Sequence, residues 1–149
     1  MSNFSDSQLI AILLQGGFLA EKQLSQLQAV ASESQKTLEQ VIVEREILTD
    51  EHLGQLIASA LGKPFVNLRV QAIPSEILNL IPGEFAEKNA VLAFKKDAEG
   101  LHLAMHNVGD IHLIQLLEKK IGSNLVIHYA TQNDLHQAMN QYKSRLDEM

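Results

Sequence analysis

The sequence contains no cysteine among its 149 residues. This absence excludes disulfide bonds, thiolate metal sites and cysteine nucleophiles together, and it fits a reducing compartment. Runs of positive charge are also missing, and the formal net charge is -6. A phosphate-rich polymer would be repelled by such a chain, so we expect no nucleic-acid partner.

Long hydrophobic runs are absent as well. The longest uninterrupted one, Leu9 to Leu14, is far shorter than the roughly 20 residues that a helix needs to cross a bilayer. The first residues lack the basic region and the cleavage site of a secretory signal. Because hydrophobic residues still make up 46% of the chain, a folded core is expected. The sequence therefore predicts a folded cytoplasmic protein without direct membrane insertion.

Catalytic motifs are equally scarce. Gly62-Lys63-Pro64 fails as a phosphate-binding loop, because Pro64 has no amide to donate and the earlier glycine of that motif is missing. No Gly-x-Ser-x-Gly sequence occurs, so acyl transfer has no visible nucleophile. We expect no catalytic residue and no cofactor in this chain.

Three of the six histidines, His102, His106 and His112, follow one another closely. Two strand residues four apart are separated by roughly 13 Å, too far to share a zinc ion with bonds near 2 Å. The other three, among them His128, have no partner at ligand spacing. The sequence therefore predicts polar histidines on a wet sheet face and no metal site.

What the sequence does contain is a duplicated helical unit. A shift of about 29 residues superposes apolar residues on one another: Leu9 on Leu38, Ile12 on Val41, Leu13 on Ile42 and Leu24 on Leu53. Capping signals such as Thr37-Leu38-Glu39-Gln40 precede these residues. Since a lone helix pair cannot bury its apolar stripe, we expect residues 1–62 to form four helices packed around these leucines.

The pattern changes after residue 62. Residues 63–72 are expected to form a linker, and Ile73-Pro74-Ser75-Glu76 starts a short helix that Pro82-Gly83 interrupts. Two β-like runs, a helix, a strand and a final helix then follow, at 91–95, 101–105, 110–121, 125–129 and from Thr131 onward. We predict an α+β fold, with a duplicated four-helix subdomain over 1–62 and a small subdomain of order ααββαβα over 73–149.

These residues resemble a known family, the N-terminal domains of type II secretion and type IV pilus assembly ATPases. The duplicated unit resembles the paired-helix repeat of that GspE and PilB family, whose N-terminal domain is of the MshEN type. The segment after the repeat and the second β-like run are similar to the family too. The matching stretches are Leu9 to Leu24, Leu38 to Leu53, Ala60 to Leu68 and Leu103 to Asn107.

The resemblance implies a docking domain that precedes an ATPase motor in a longer protein. Such domains attach the motor to an inner-membrane platform by binding a cytoplasmic segment of a membrane protein. ATP and Mg²⁺ would then belong to a motor domain downstream, and the parent protein would be a hexamer. A modest candidate for the partner surface is the charged outer side of the first unit, with Glu21 and Lys22, although a solvated face explains that pair equally.

The resemblance also implies an alternative, a cyclic di-GMP sensor, because some members of the family bind this dinucleotide through the repeat. Their motif opens each unit with Arg-Leu-Gly, whereas the Arg positions here hold Gln8 and Thr37. Loss of these cations weakens the attraction for a dianion. The candidate ligand residues would be those that still match the motif: Leu9, Leu13, Gly17, Leu24, Leu38, Ile42 and Leu53.

Overall fold

The computed structural model describes the backbone of residues 6–148 and the side chains of residues 7–141. The outermost parts of the two predicted subdomains, residues 1–5 and 149, lie outside the described residues. The elements are α1 (Asp6–Gln15), α2 (Glu21–Ser34), α3 (Leu38–Glu44), α4 (Asp50–Leu61), α5 (Ser75–Leu78), α6 (Gly83–Asn89), β1 (Val91–Asp97), β2 (Gly100–Met105), α7 (Ile111–Ile121), β3 (Leu125–Tyr129) and α8 (Gln132–Glu148). This order confirms the predicted α+β fold.

The first four helices form two similar hairpins, as the repeat predicts. The turn after α1 contains Gly17 at φ 70°, and the turn after α3 contains Glu46 at φ 58°. Each turn is closed by the same backbone hydrogen bond over 3.1 Å, from Phe18 N to Leu13 O in the first unit and from Ile47 N to Ile42 O in the second. The two copies therefore share their backbone conformation although Gly17 and Glu46 differ chemically.

Capping side chains start the helices of the second hairpin. Thr37 Oγ1 accepts a hydrogen bond from Gln40 N over 3.1 Å, and Thr37 N donates to Gln40 Oε1 over 2.9 Å. At the start of α4, Thr49 Oγ1 accepts from His52 N over 3.0 Å. These bonds satisfy backbone groups that the first turn of a helix leaves without an intrahelical partner.

The three strands form one sheet in the order β1-β2-β3, with β1 antiparallel and β3 parallel to β2. The helix α7 makes the crossover that the parallel pair requires. The register shifts between Ala93 and Lys95, so Phe94 is an extra residue in β1. Such a bulge bends the strand and redirects the side chains beside it.

The segment 63–72 packs against the sheet. Phe65 lies beside Tyr129 at the free side of β3 in a parallel bridge, where Val66 N donates to Tyr129 O over 3.0 Å and Tyr129 N donates to Pro64 O over 2.8 Å. Val66 and Leu68 are only 6% and 5% exposed. The domain boundary stays a prediction, but the segment contributes to one hydrophobic core that includes residues of both halves.

None of the described helices is long and apolar enough to cross a membrane.

Candidate functional site

A cavity of about 470 Å³, here called the junction pocket, lies between the two halves. On the side of the repeat it is lined by residues along the whole of α3 and by the first residue of α4, and on the other side by α6 and the first turns of α8. The second hairpin lines this cavity and the first does not. The lining residues are Thr37, Glu39, Gln40, Val43, Glu44, Asp50, Glu87, Ala90, Thr131, Gln132, Asn133, Leu135, His136 and Met139.

The junction pocket is acidic. Of the described residues that line it, Glu39, Glu44, Asp50 and Glu87 carry carboxylates, and none is Lys or Arg. Two of these carboxylates are paired with cations from outside the lining, since Lys36 Nζ lies 2.8 Å from Glu44 Oε2 and Arg69 Nη2 lies 3.5 Å from Asp50 Oδ2. The carboxylates still outnumber these cations, so the cavity favours a group with positive charge.

Thr131 joins the two halves at the floor of this pocket. Its hydroxyl donates to Asp50 Oδ2 over 2.5 Å and accepts from Asp134 N over 3.1 Å, so it caps α8 while it binds the first residue of α4. Arg69 bridges both carboxylates, with Nε 2.8 Å from Asp134 Oδ1 and NH2 3.5 Å from Asp50 Oδ2. The network is buried, since Thr131, Asp50 and Asp134 are 9% exposed or less.

The negative charge of Asp50 acts on several neighbouring groups. Burial raises the pKa of Asp134, and the charge of Asp50 adds to this rise while Arg69 opposes it. Burial also raises the pKa of Tyr129, with Glu39 and Asp50 contributing in the same direction. The pKa of His106 shifts in the opposite direction, because burial lowers it, while the carboxylate of Asp50 acts to raise it. The carboxylate of Asp50 therefore contributes negative potential at these three neighbouring groups.

The seven residues that are candidates for binding a dinucleotide lie partly in the core and partly on the surface. Six of the seven are 2% exposed or less: Leu9, Leu13, Leu24, Leu38, Ile42 and Leu53. Packing accounts for these six, and a ligand could not reach their side chains without opening the core. Gly17 is exposed, and nothing lies within 4 Å of the position that a Cβ would take. Their role in binding a dinucleotide stays a prediction.

The candidate partner residues Glu21 and Lys22 lie exposed at the start of α2, away from the lining of the junction pocket. Under the 29-residue shift, Glu21 corresponds to Asp50, which is only 9% exposed. The two units of the repeat thus differ at this position, because the sheet half packs on the second unit. Their role in partner binding also stays a prediction.

The prediction of a wet sheet face is wrong for His102, which is 3% exposed. Its Nδ1 lies 2.9 Å from His128 Nε2, and its Nε2 lies 2.9 Å from Asp97 Oδ1. The ring of Phe94 covers this pair, with its centroid 5.0 Å from that of His128 and 6.0 Å from that of His102. Burial, together with the charges of His102 and Lys95, lowers the pKa of His128 to about 4.

No local sequence pattern indicates the junction pocket, because its lining comes from four separate elements. Thr131 precedes α8, as predicted from the sequence, and Asp50 is the first residue of α4. Their hydrogen bond joins positions 81 residues apart, which no local pattern can reveal. The available signal was the difference between Glu21 and Asp50 in otherwise matching units, since a shorter acid at the same position indicates a different environment.

Two type IV pilus assembly ATPases are similar to this chain in sequence. The chain is 26% identical over 122 residues to the type IV pilus assembly ATPase PilB of Thermus thermophilus, covering 82% of this chain and 14% of the relative. It is 21% identical over 131 residues to the type IV pilus assembly ATPase PilB of Myxococcus xanthus, covering 88% of this chain and 23% of the relative. The chain thus spans less than a quarter of the length of either relative.

Two solved structures share the fold. One is described as MshE with cyclic di-GMP and matches with a TM-score of 0.67 and 19% identity, over 90% of this chain and 97% of that one. The other is the N-terminal domain of XpsE, which matches with a TM-score of 0.59 and 17% identity, over 94% of this chain and 96% of that one. The family model of the MshEN domain matches residues 61–149. The resemblance is thereby confirmed, and the chain belongs to the MshEN domain family.

Proposed function

We propose that this chain is the N-terminal docking and regulatory domain of a type IV pilus or type II secretion ATPase. In this proposal it binds a cytoplasmic segment of an inner-membrane platform protein and couples that platform to the motor. Family membership and the two PilB relatives support the proposal. The motor domain, with ATP, Mg²⁺ and a hexameric assembly, would lie in the remainder of the parent protein, and this domain would not itself be an enzyme.

The observation that carries the proposal is the acidic junction pocket between the two halves. Cytoplasmic segments close to a membrane carry an excess of Lys and Arg. Such a segment complements the carboxylates of Glu39 and Glu87, which lie on opposite sides of the cavity on α3 and α6. A partner side chain held between α3 and α6 would contact both halves, so its binding would fix their relative position.

Charge-neutral variants test this proposal. Cytoplasmic segments of the platform proteins are titrated against the chain by calorimetry at low salt. Glu87→Gln is expected to weaken binding of the basic segment about 3- to 10-fold, which corresponds to roughly 1 kcal/mol for one partly exposed ion pair. Glu21→Gln, on the exposed outer side of the first hairpin, is the matched control and should leave the affinity unchanged.

The outcomes separate the two candidate surfaces. If Glu21→Gln weakens binding and Glu87→Gln does not, the partner uses the outer side of the first hairpin and the junction pocket is not its site. If none of the platform segments binds at high micromolar concentration, the docking proposal fails. Added salt should weaken a correct complex, because it screens the ion pairs.

A cyclic di-GMP sensor is the second candidate, favoured by the likeness in fold to the structure of MshE with this dinucleotide. The acidic cavity and the missing Arg residues at positions 8 and 37 argue against it. A sensor predicts saturable heat on titration with cyclic di-GMP, and a substitution at the exposed Gly17 should abolish it. The docking proposal predicts no heat at high micromolar dinucleotide.

A further inference from the structure

A second polar cluster lies at the tip of the β1–β2 hairpin, and none of its residues is among those that line the junction pocket. Asp97 ends β1, Glu99 lies in the turn and His102 belongs to β2. Their ligand atoms all lie within 4.8 Å of one another. We propose that these three side chains, here called the hairpin cluster, bind a divalent transition-metal ion such as Zn²⁺ or Ni²⁺.

The turn that carries the cluster is held in place by hydrogen bonds. Glu99 N donates to Asp97 Oδ1 over 3.0 Å, and the side-chain amide of Asn124 donates to Glu99 O over 2.8 Å. Leu101 N also donates to Asn124 O over 2.8 Å. The hairpin tip is therefore tied to the residue just before β3, and the ligand atoms are brought together before any ion arrives. Such preorganisation lowers the cost of binding.

His102 is oriented as a ligand histidine is. Its Nε2 faces Asp97, while its Nδ1 lies 2.9 Å from His128 Nε2 behind it. Histidines that bind metals nearly always donate a hydrogen bond from their second nitrogen, which fixes the ring orientation, and His128 Nε2 is placed to accept such a bond from His102 Nδ1. With only 3% of the residue exposed, the ring has little freedom to turn away.

The distance between two of the three ligand atoms also fits an ion. His102 Nε2 and Asp97 Oδ1 lie 2.9 Å apart. Two ligand atoms each about 2.05 Å from an ion and about 2.9 Å from each other subtend about 90°, the angle of adjacent ligands in six-coordinate geometry. The proton of the present hydrogen bond occupies the place that the ion would take. One imidazole nitrogen with two carboxylates selects Zn²⁺ or Ni²⁺ over Mg²⁺ and Ca²⁺, which prefer oxygen ligands.

One neighbouring charge opposes the ion. Lys95 Nζ lies 3.6 Å from Asp97 Oδ2, and its ammonium group must move aside or share the carboxylate. Removing this charge should therefore strengthen metal binding. That effect is opposite to what the loss of an ion pair normally does to a folded protein, so it is specific to the proposed site.

Metal binding has a second consequence, because it determines where the imidazole protons lie. In the neutral cluster, Asp97 accepts from His102 Nε2–H, so His102 Nδ1 must accept from His128 Nε2–H. A metal ion on His102 Nε2 places the proton of that ring on Nδ1, which then donates to His128 Nε2, and the proton of His128 moves to its own Nδ1. Both rings change tautomer, and the number of protons on the two rings stays the same.

Long-range ¹H–¹⁵N NMR of the whole chain tests this directly, with ZnCl₂ as the probe and MgCl₂ as the control ion. We expect His102 and His128 to change tautomer together with 1:1 saturation, while the exposed His112 keeps its tautomer. MgCl₂ should cause neither change. Saturation by Zn²⁺ without a change of tautomer at His102 would overturn the proposal, as would a dissociation constant weaker than about 1 mM, which leaves no more than about 4 kcal/mol for binding.

Calorimetry with variants provides an independent test. Glu99→Gln, in the exposed turn, should weaken Zn²⁺ binding at least tenfold, and Lys95→Gln should strengthen it several-fold. Glu118→Gln, an exposed acid on α7, is the matched control and should change nothing. Equal affinities in Glu99→Gln and Glu118→Gln would refute the site. Failure here would leave the docking proposal untouched, because the partner assay probes the junction pocket.

Discussion

The hydrogen bond between Thr131 and Asp50 is the most direct test of how the two halves are joined. Thr131→Val keeps the shape of the side chain but removes the hydroxyl that donates to Asp50 Oδ2 and accepts from Asp134 N. Both partners are buried, at 9% and 2% exposed. Asp134 therefore cannot replace the lost bond with bulk water, and Asp50 can reach water only through the junction pocket.

The expected loss has two parts. Removal of a helix N-cap costs about 1 kcal/mol. A hydrogen bond to a buried charged group contributes about 1.5 to 3 kcal/mol. Arg69 still contacts the carboxylate of Asp50 at 3.5 Å and limits the second part. We therefore expect Thr131→Val to lower the free energy of unfolding by about 2 to 4 kcal/mol.

Urea unfolding followed by circular dichroism at pH 7 measures this loss. Thr37→Val is the matched control, because Thr37 caps α3 at an exposed site and binds only the backbone of Gln40 in that role. It should cost about 1 kcal/mol. Thr131→Ser keeps the hydroxyl and should recover most of the stability. Equal losses in the two valine variants would refute the reasoning, since the bond to Asp50 would then contribute nothing.

Four further substitutions have defined outcomes. Gly54→Ala should lower the free energy of unfolding by about 1 to 3 kcal/mol in urea, because its Cβ would lie 2.5 Å from Phe65 Cε1. Glu46→Gly should raise the melting temperature and Gly17→Ala should lower it, by about 1 kcal/mol each in stability, since both positions have left-handed backbone; shifts of the same sign would contradict this. Burial lowers the pKa of His106 below 6.5, so the unfolded chain binds the proton more readily and the stability of the wild type falls as the pH drops through 6.5. When the pH is lowered from 7.5 to 5.5, the free energy of unfolding of His106→Gln, measured in urea, should fall less than that of the wild type. Equal decreases in the two proteins would show that protonation of His106 is not the cause.

Features that depend on neighbouring residues in the chain could be predicted from the sequence. The capping box at Thr37, the burial of Leu9 and Leu38 and the left-handed turn at Gly17 all follow from spacings of a few residues. The repeat extended these predictions from the first hairpin to the second. It also placed Glu46 at the position of Gly17, although it could not indicate that Glu46 would adopt the same left-handed backbone.

Features that depend on strand pairing could not be predicted in the same way. His102 was assigned to a wet face because its neighbours along the strand are too far apart to share an ion. Its real partners are Asp97, across the hairpin, and His128, on a parallel strand that arrives only after α7. The bulge at Phe94, which brings an aromatic ring over both histidines, has no clear signature in the sequence.

The bridge between Phe65 and Tyr129 has a mechanical consequence. Two backbone hydrogen bonds join Tyr129 to the segment beside it, one from Tyr129 N to Pro64 O and one from Val66 N to Tyr129 O. A pull on the four-helix half along the direction of β3 loads both bonds at once, in shear, instead of opening them one after another. The connection would resist such a load better than strands peeled apart from one end, which would suit the docking role proposed above.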